Sequence, residues 1–465
     1  MKMRKPYHQK LNLFLVIISL FVSQLLHAQK YFSAEQCVQY AFAHNPLLNA
    51  SSTDTAISDL DIKRVTGLYN PRVNFGTAFQ YYISKRNLLV EGGSNLAPSN
   101  IAPGEPYAIP IGYKNAWFPT LSVNQLIFDP GYRNTYNIAL QNRVLQQQEI
   151  ADFKINLVAG IYKAYNTCKL LEVQETFLVQ NIIRIDTLIE LTRIKFKEGA
   201  GIKIEVNLVE VTGNRMRSEL ANVRNGYSEA MLALQFQMNY LEKDSMILTD
   251  LFSIPQIVNA SDPIMQELLL SNPAKRIESQ ILKTQIALAD ESIKLERSRK
   301  QIKVGADGSL GFTPAANGID KMFQGERWKP YSYVGVNFIV PIFNGMDVNR
   351  AVEQRKLQAS QVRDYYNQFT NQFESEKQTV FVQVKNAKER FKLAELNLTL
   401  AQNNVDLIQE AYVNGVADSH HLILGENDLY ENQARYYYEL LQLLLSQING
   451  YQVVGAYNRA AGLSN

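Results

Sequence analysis

The chain is written twice. Asn45-Pro46, at the head of a helix-like stretch, returns as Asn272-Pro273. Leu126-Ile127-Phe128-Asp129 returns as Pro341-Ile342-Phe343-Asn344, and Phe196-Lys197-Glu198-Gly199 returns as Tyr412-Val413-Asn414-Gly415. The three marks keep their order at offsets of 227, 215 and 216 residues. A period of about two hundred residues is far too long for a solenoid unit, so it implies two pseudo-equivalent halves of one architecture. The longer first offset places a longer loop in the first half, between its Asn-Pro and Ile-Phe marks.

Lys2, Arg4, Lys5 and Lys10 precede the apolar run Leu11–Leu26, and Ala28 offers a small residue for cleavage. That is the pattern of a secretory signal peptide over residues 1–28. A single membrane anchor is the other reading, although a spanning helix needs about 20 apolar residues. The whole chain carries 47 Lys and Arg against 44 Asp and Glu, a net charge of +3. Without the four basic residues of the leader it is nearly neutral, so electrostatics gives no reason to expect nucleic acid as a partner. Cys37 and Cys168 are too few for a disulfide framework and read as buried or unpaired thiols. No other run is apolar enough to cross a bilayer as a helix, so a membrane form of this chain must cross as strands.

Between Asp129 and Glu198 the sequence is one long helical pattern. Ile150, Phe153, Leu157, Ile161, Ala164, Cys168, Leu171, Leu178, Ile182, Ile185, Ile189 and Phe196 fall on steps of three and four, the seam of coiled-coil packing. About 65 helical residues reach roughly 100 Å, deeper than an ordinary globular core. A returning helix follows over Ile202–Tyr240, and the second half repeats the hairpin with Asp347–Tyr412 and Asp418–Asn449. Shorter helices at Ser33–Leu68 and Ile264–Lys300 complete the helical set. The segments Leu241–Pro263 and beyond Gly450 read as an irregular collar at mid-length.

The remaining segments have period two. Strands are expected at about 72–82 and 118–128 in the first half, and 301–312 and 332–343 in the second. Each is about ten residues long with one small, polar face and one aliphatic or aromatic face, the dyad pattern of a membrane strand. A soluble half-buried sheet has the same alternation; the duplication behind a signal peptide favours the membrane. Gly/Pro-rich loops, Ser84–Asn115 and Pro314–Pro330, join the strands of each pair. Tyr81, Tyr82, Tyr113, Trp117, Phe118, Trp328, Tyr331 and Tyr333 gather at the loop-proximal ends, either as an interfacial girdle or as ordinary strand composition. Four strands leave open edges that lipid does not tolerate, so closure requires further copies of the chain. Two copies give eight strands and a filled barrel; three give twelve and a channel.

Helix, strand, loop, strand, long helix, glycine tip and returning helix, repeated after a signal peptide, resemble the TolC-like outer-membrane efflux proteins (outer membrane factors). The marks are Ala43-His44-Asn45-Pro46, Leu126-Ile127-Phe128-Asp129, Pro341-Ile342-Phe343-Asn344-Gly345 and the tips at Gly199 and Gly415. The resemblance divides the mature chain into repeats over 29–262 and 263–465. It implies a mixed α and β membrane protein: a homotrimer with a shared transmembrane β-barrel, four strands per chain, continued by a periplasmic α-helical coiled-coil barrel. Such a protein lies in outer-membrane lipid. It works with a periplasmic adaptor and an inner-membrane transporter of RND, ABC or MFS type, binds no cofactor or metal and is no enzyme. By the same resemblance Phe196, Gly199, Tyr412 and Gly415 form adaptor-docking tips. Some members narrow the tunnel with aspartates six and nine residues beyond the second tip glycine; here His421 and Leu424 stand there. Glu205 and Asp418 are the nearby acids, so a constriction at Glu205, Asp418 and His421 is expected either to gate the bore or to be a solvated helix face.

No catalytic constellation occurs: there is no phosphate loop after a strand, no His-Glu-x-x-His, and five histidines in all. The expected function is an exit duct for efflux or type I secretion. The alternative is a periplasmic coiled-coil scaffold without a pore, which would not need detergent to stay in solution.

Overall fold

The computed structural model describes residues 30–241 and 246–461, so the expected signal peptide lies outside the described residues. In chain order the first repeat runs β1 (Lys30–Phe32), α1 (Ala34–His44), α2 (Pro46–Thr66), β2 (Arg72–Gly76), β3 (Phe79–Tyr81), β4 (Arg86–Glu91), β5 (Pro106–Ile111), β6 (Asn115–Trp117), β7 (Thr120–Phe128), α3 (Tyr132–Lys197), α4 (Lys203–Met238) and β8 (Met246–Leu248). After it come α5 (Ile254–Leu270), which spans the expected boundary between the repeats, α6 (Ile277–Ser298), β9 (Lys303–Phe312), β10 (Ala315–Ala316), α7 (Ile319–Met322), β11 (Pro330–Ile339), α8 (Asp347–Val413), α9 (Ser419–Val454) and α10 (Tyr457–Ala460). Among the described residues no helix is long and apolar enough to cross a membrane.

The duplicated Asn-Pro marks turn out to be helix breaks. The single helices expected over Ser33–Leu68 and Ile264–Lys300 are each two. A residue before proline avoids the α region, and Asn45 (ψ 118°) and Asn272 (ψ 133°) obey. Each Asn then caps the turn that starts at its proline: the side-chain oxygen accepts from the Leu47 amide at 2.9 Å and from the Ala274 amide at 2.8 Å. At the head of α1, Ser33 and Gln36 exchange backbone and side-chain hydrogen bonds in a full capping box.

The described chain forms two compact units, and each draws on both repeats. One holds the chain up to Thr55, Leu145–Lys283 and everything from Arg363 on. Here the predicted seam of α3 is buried at Leu157, Ile161, Ala164, Cys168, Leu178, Ile185 and Ile189. Its largest core gathers Cys37 and Val38 of α1, Ile161 and Tyr165 of α3, and Leu234 and Met238 of α4. The collar is more regular than expected. β1 and β8 pair in parallel, and the Asp250 carboxylate accepts from the Ala34 amide at 2.8 Å while its own amide donates to Tyr165 Oη at 3.0 Å. Pro263 lies inside α5, and α9 passes Gly450 without a break. Gly450 is a packing position rather than a stop: a Cβ there would sit 2.6 Å from Ile264 Cγ2, so its absence lets α9 lie against α5.

The other unit comprises Ala56–Val144 and Thr284–Val362. Its centre is a four-stranded antiparallel sheet in the order β11-β9-β7-β2, two strands from each repeat. The register sorts most of the side chains, with Gln125 and Ser332 as polar exceptions on the apolar face. Arg72, Asn74, Ser122, Asn124, Asp307, Ser309, Tyr333 and Asn337 share one face; Val73, Phe75, Leu121, Val123, Val304, Ala306, Leu310, Val334, Val336 and Phe338 share the other. The apolar face is bare, with Val334 90% and Phe338 67% exposed. The alternation that falters at Leu126 is restored by a register shift between Leu126 and Phe128.

Three expectations in this unit need correction. The first strand is interrupted between Gly76 and Phe79, and the last ends at Ile339, so Pro341-Ile342-Phe343-Asn344 is a connection and not a strand end. Pro341 has no N–H for a ladder, and Gly345 (φ 58°) and Met346 (φ 65°) then turn the chain into α8. The loop Ser84–Asn115 contains a hairpin, with β4 and β5 paired from Arg86↔Ile111 to Glu91↔Pro106. The second loop folds on the first: β10 pairs with β6, which pairs with β3. Trp117 meets Trp328 edge-to-face at 5.1 Å, so part of the predicted aromatic group is a small core.

Candidate functional site at the hairpin tips

The two helical hairpins reverse by the same device. α3 ends with Gly199 at φ 75° and α8 ends before Gly415 at φ 74°, a left-handed backbone that only glycine enters without a Cβ penalty. The Ala200 amide donates to Lys195 O at 2.9 Å and the Gly199 amide to Phe196 O at 3.1 Å. At the second tip Val416 donates to Ala411 O at 2.8 Å and Gly415 to Tyr412 O at 3.2 Å. Both are Schellman caps that satisfy the last helix carbonyls. A Cβ on either glycine would meet nothing within 4 Å, so both tips stand in open space.

The expected tip residues do not share one environment. Phe196 is 41% exposed, whereas its counterpart Tyr412 is only 5% exposed. Tyr412 sits in a cluster with Ile185, Ile189 and Val209 of the first hairpin and Leu422 and Ile423 of its own. Lys195 Nζ lies 3.6 Å from its ring centroid, a close cation–π contact between the two tips. Among the described residues the Tyr412 hydroxyl is buried with no hydrogen-bond partner. Tyr412 therefore holds one tip to the other from within, while Phe196 faces outward.

The acids behind the tips differ as well. Asp418 caps α9: it accepts from the His421 amide at 3.0 Å and meets His421 Nδ1 at 2.6 Å. Those hydrogen bonds hold its carboxyl below the usual range. Glu205 lies in the first turn of α4, where the helix dipole favours an acid. His421 and Leu424 line a groove of about 580 Å³ between α8 and α9, with Asn397, Asn404, Asp428 and Asn432 supplying polar groups.

Farther from the tips, polar links that sequence reasoning missed join the hairpins. Arg184 Nε reaches Glu426 Oε1 at 3.0 Å, Asn181 donates to Gln433, and Arg215 Nη2 donates to Asn427 at 2.6 Å. Burial pushes the Glu426 carboxyl above its usual value, and Arg184 opposes the shift. Glu439, almost fully buried, is held by Arg390 at 2.9 Å and by Arg435 at 2.7 Å. Within the first hairpin, Arg193–Glu210 and Arg224–Glu175 lace α3 to α4 on the surface. Only the Arg435–Glu439 spacing of four was visible in one helix; the other pairs join segments remote in sequence.

Comparison with known proteins agrees with this architecture. A family model described as outer membrane efflux protein matches residues 38–239. A search of the curated proteins gave no match. Among solved structures, the outer membrane protein VceC of Vibrio cholerae shares 13% identity at a TM-score of 0.66, covering 91% of this chain and 96% of its own. The Campylobacter jejuni CmeC outer membrane channel shares 14% at 0.69, covering 91% and 85%. The Neisseria gonorrhoeae MtrE outer membrane channel, in its open state, shares 13% at 0.66, covering 91% and 88%. At such identities the likeness shows the fold. The outer membrane efflux protein family is thus matched in sequence over residues 38–239, and the fold of these outer membrane channels is followed over 91% of the chain.

Proposed function

We propose that three copies of the chain close a shared twelve-stranded barrel and form the exit duct of a tripartite export system, passively conducting cargo delivered by an inner-membrane transporter and a periplasmic adaptor. The observation that carries this is the sheet. Among the described residues β2 and β11 have no partner on their outer sides, and one face is bare and apolar. Unpaired edge groups cost several kcal/mol each in hydrocarbon. β2 runs antiparallel to β11 through the intervening pairings, so the β2 edge of one copy meets the β11 edge of the next in the antiparallel sense. One repeated contact then closes a ring. The helices support it: Leu393, Leu396, Leu400 and Leu407 of α8 form an exposed seam at steps of three, four and seven residues, each more than half exposed.

The outward tip residues Phe196, Gly199 and Gly415 are the surface for the adaptor, with Tyr412 setting their spacing. Glu205, Asp418 and His421 are the groups through which a ring of copies would narrow the bore. The cargo is selected by the pump. Sedimentation of the detergent-purified protein should give three copies, and planar bilayers should show conductance. A monomer without conductance refutes the proposal.

A further inference from the structure

The polar face of the four-stranded sheet carries three charged side chains, Arg72 of β2 and Lys303 and Asp307 of β9. Lys303 is neutralised at the start of its strand, with Nζ 3.0 Å from Asp129 Oδ2. Arg72 and Asp307 are in no ion pair among the described residues. The register sets them in one row: Arg72 opposite Asn124, Asn124 opposite Asp307, and Asp307 opposite Gly335.

Glycines make the room this row needs. Asn337 Nδ2 donates to Asp307 Oδ1 at 3.1 Å, which aims the carboxylate across β11. A Cβ on Gly335 would lie 3.6 Å from that oxygen, and one on Gly305 would lie 2.7 Å from Asn337 Oδ1. A side chain at Gly305 would therefore push Asn337 off the carboxylate. Asp307 is held at a fixed place on the face.

Ring closure turns the row into levels. With the apolar face against lipid, the polar face lines the bore. Three-fold symmetry then brings three Asp307 to one height and three Arg72 to another. Two strand spacings of about 4.8 Å separate the residues, and a strand tilt of about 40° makes that roughly 6 Å along the axis. That is less than the screening length of about 8 Å at physiological salt, so a passing ion feels both levels. Rings of charged side chains are how pores discriminate ions by sign.

We propose that Asp307 and Arg72 form two adjoining rings of opposite charge inside the barrel, which sort permeating ions and charged solutes by sign. The inference rests on the proposed twelve-stranded barrel. The reporter is Asn124→Cys, one strand from each charge, in the full chain purified in detergent. Cys37 and Cys168 are fully buried and stay in place. The new thiol is treated with a cationic and an anionic methanethiosulfonate of similar size, and the ratio of the two rates cancels changes in the thiol itself. At low salt Asp307→Asn should lower the cation-to-anion ratio about threefold and Arg72→Gln should raise it about threefold, both effects shrinking as salt rises. An oligomer in which either substitution leaves the ratio unchanged overturns the charge rings and leaves the barrel standing. A thiol that reacts only after denaturation also overturns them, and a monomeric mass overturns both readings. In planar bilayers under a salt gradient, the reversal potential should move toward anion selectivity for Asp307→Asn and toward cation selectivity for Arg72→Gln. Conductance with no movement in either variant overturns the filter.

Discussion

Replacing the tip glycines separates the two things they do. At Gly199 and Gly415 the backbone is left-handed, with φ 75° and 74°, and the space around a new Cβ is empty for 4 Å. A substitution there meets no clash; its only intrinsic penalty is conformational. That penalty is roughly 1–2 kcal/mol for an ordinary L residue and much less for asparagine, which enters this region readily. Valine and asparagine add comparable bulk to the tip, so Gly199→Asn and Gly199→Val differ mainly in backbone cost. Against a typical total stability of about 5–15 kcal/mol, neither should prevent assembly. The assay compares the amount of oligomer in the outer membrane with dye efflux in cells carrying the cognate pump and adaptor. If the tips dock the adaptor, both variants lose export while the oligomer remains. Wild-type efflux by the Gly199→Asn and Gly415→Asn variants refutes the docking role and leaves the glycines as caps.

Phe338→Lys places a charge on the bare apolar face at a cost of ~2–4 kcal/mol near the bilayer midplane and should deplete the membrane oligomer; Asn337→Lys, on the polar face, should not. Equal depletion by both would argue against a lipid-facing surface. Tyr412→Phe removes a buried hydroxyl without a partner, whose desolvation costs about 1–3 kcal/mol, and keeps the ring under Lys195. Thermal unfolding should therefore rise or stay level, and a marked fall would show that the hydroxyl bonds elsewhere. Burial pushes the Cys37 and Cys168 thiols up to about 12, so both should resist alkylation at pH 8 until the protein is denatured. Their raised values favour the folded state below the unfolded thiol pKa of ~8.5, and that contribution is lost as pH rises toward 12. Rapid native labelling would contradict the burial.

Periodicity made the long helices and the strands legible. The tip glycines were legible too, because few residues tolerate their backbone. The features that stayed hidden depend on neighbours distant in sequence. Gly450 reads as a helix stop in isolation and becomes a contact only beside Ile264. Pro263 reads as a breaker but lies within α5. Tyr412 and Phe196 occupy the same repeat position, yet one is core and the other surface, because the tips pack on each other asymmetrically. Arg184 and Glu426 lie 242 residues apart, and no local pattern pairs them. The hairpin in the first outer loop had a signal, short apolar runs at Leu88-Leu89-Val90 and Ala108-Ile109 between Gly and Pro, which the loop composition masked.

The central pairing of the sheet also sets an order in time. β7 and β9 join Leu121 to Leu310, across the junction between the repeats. Within the first hairpin, pairs such as Arg193 and Glu210 are only 17 residues apart. Short-range contacts form early, and those across long loops wait. During synthesis α3 and α4 can therefore begin to form while β2 and β7 still lack the partner that completes their sheet. The four-stranded sheet is complete only once β9 and β11 have been made.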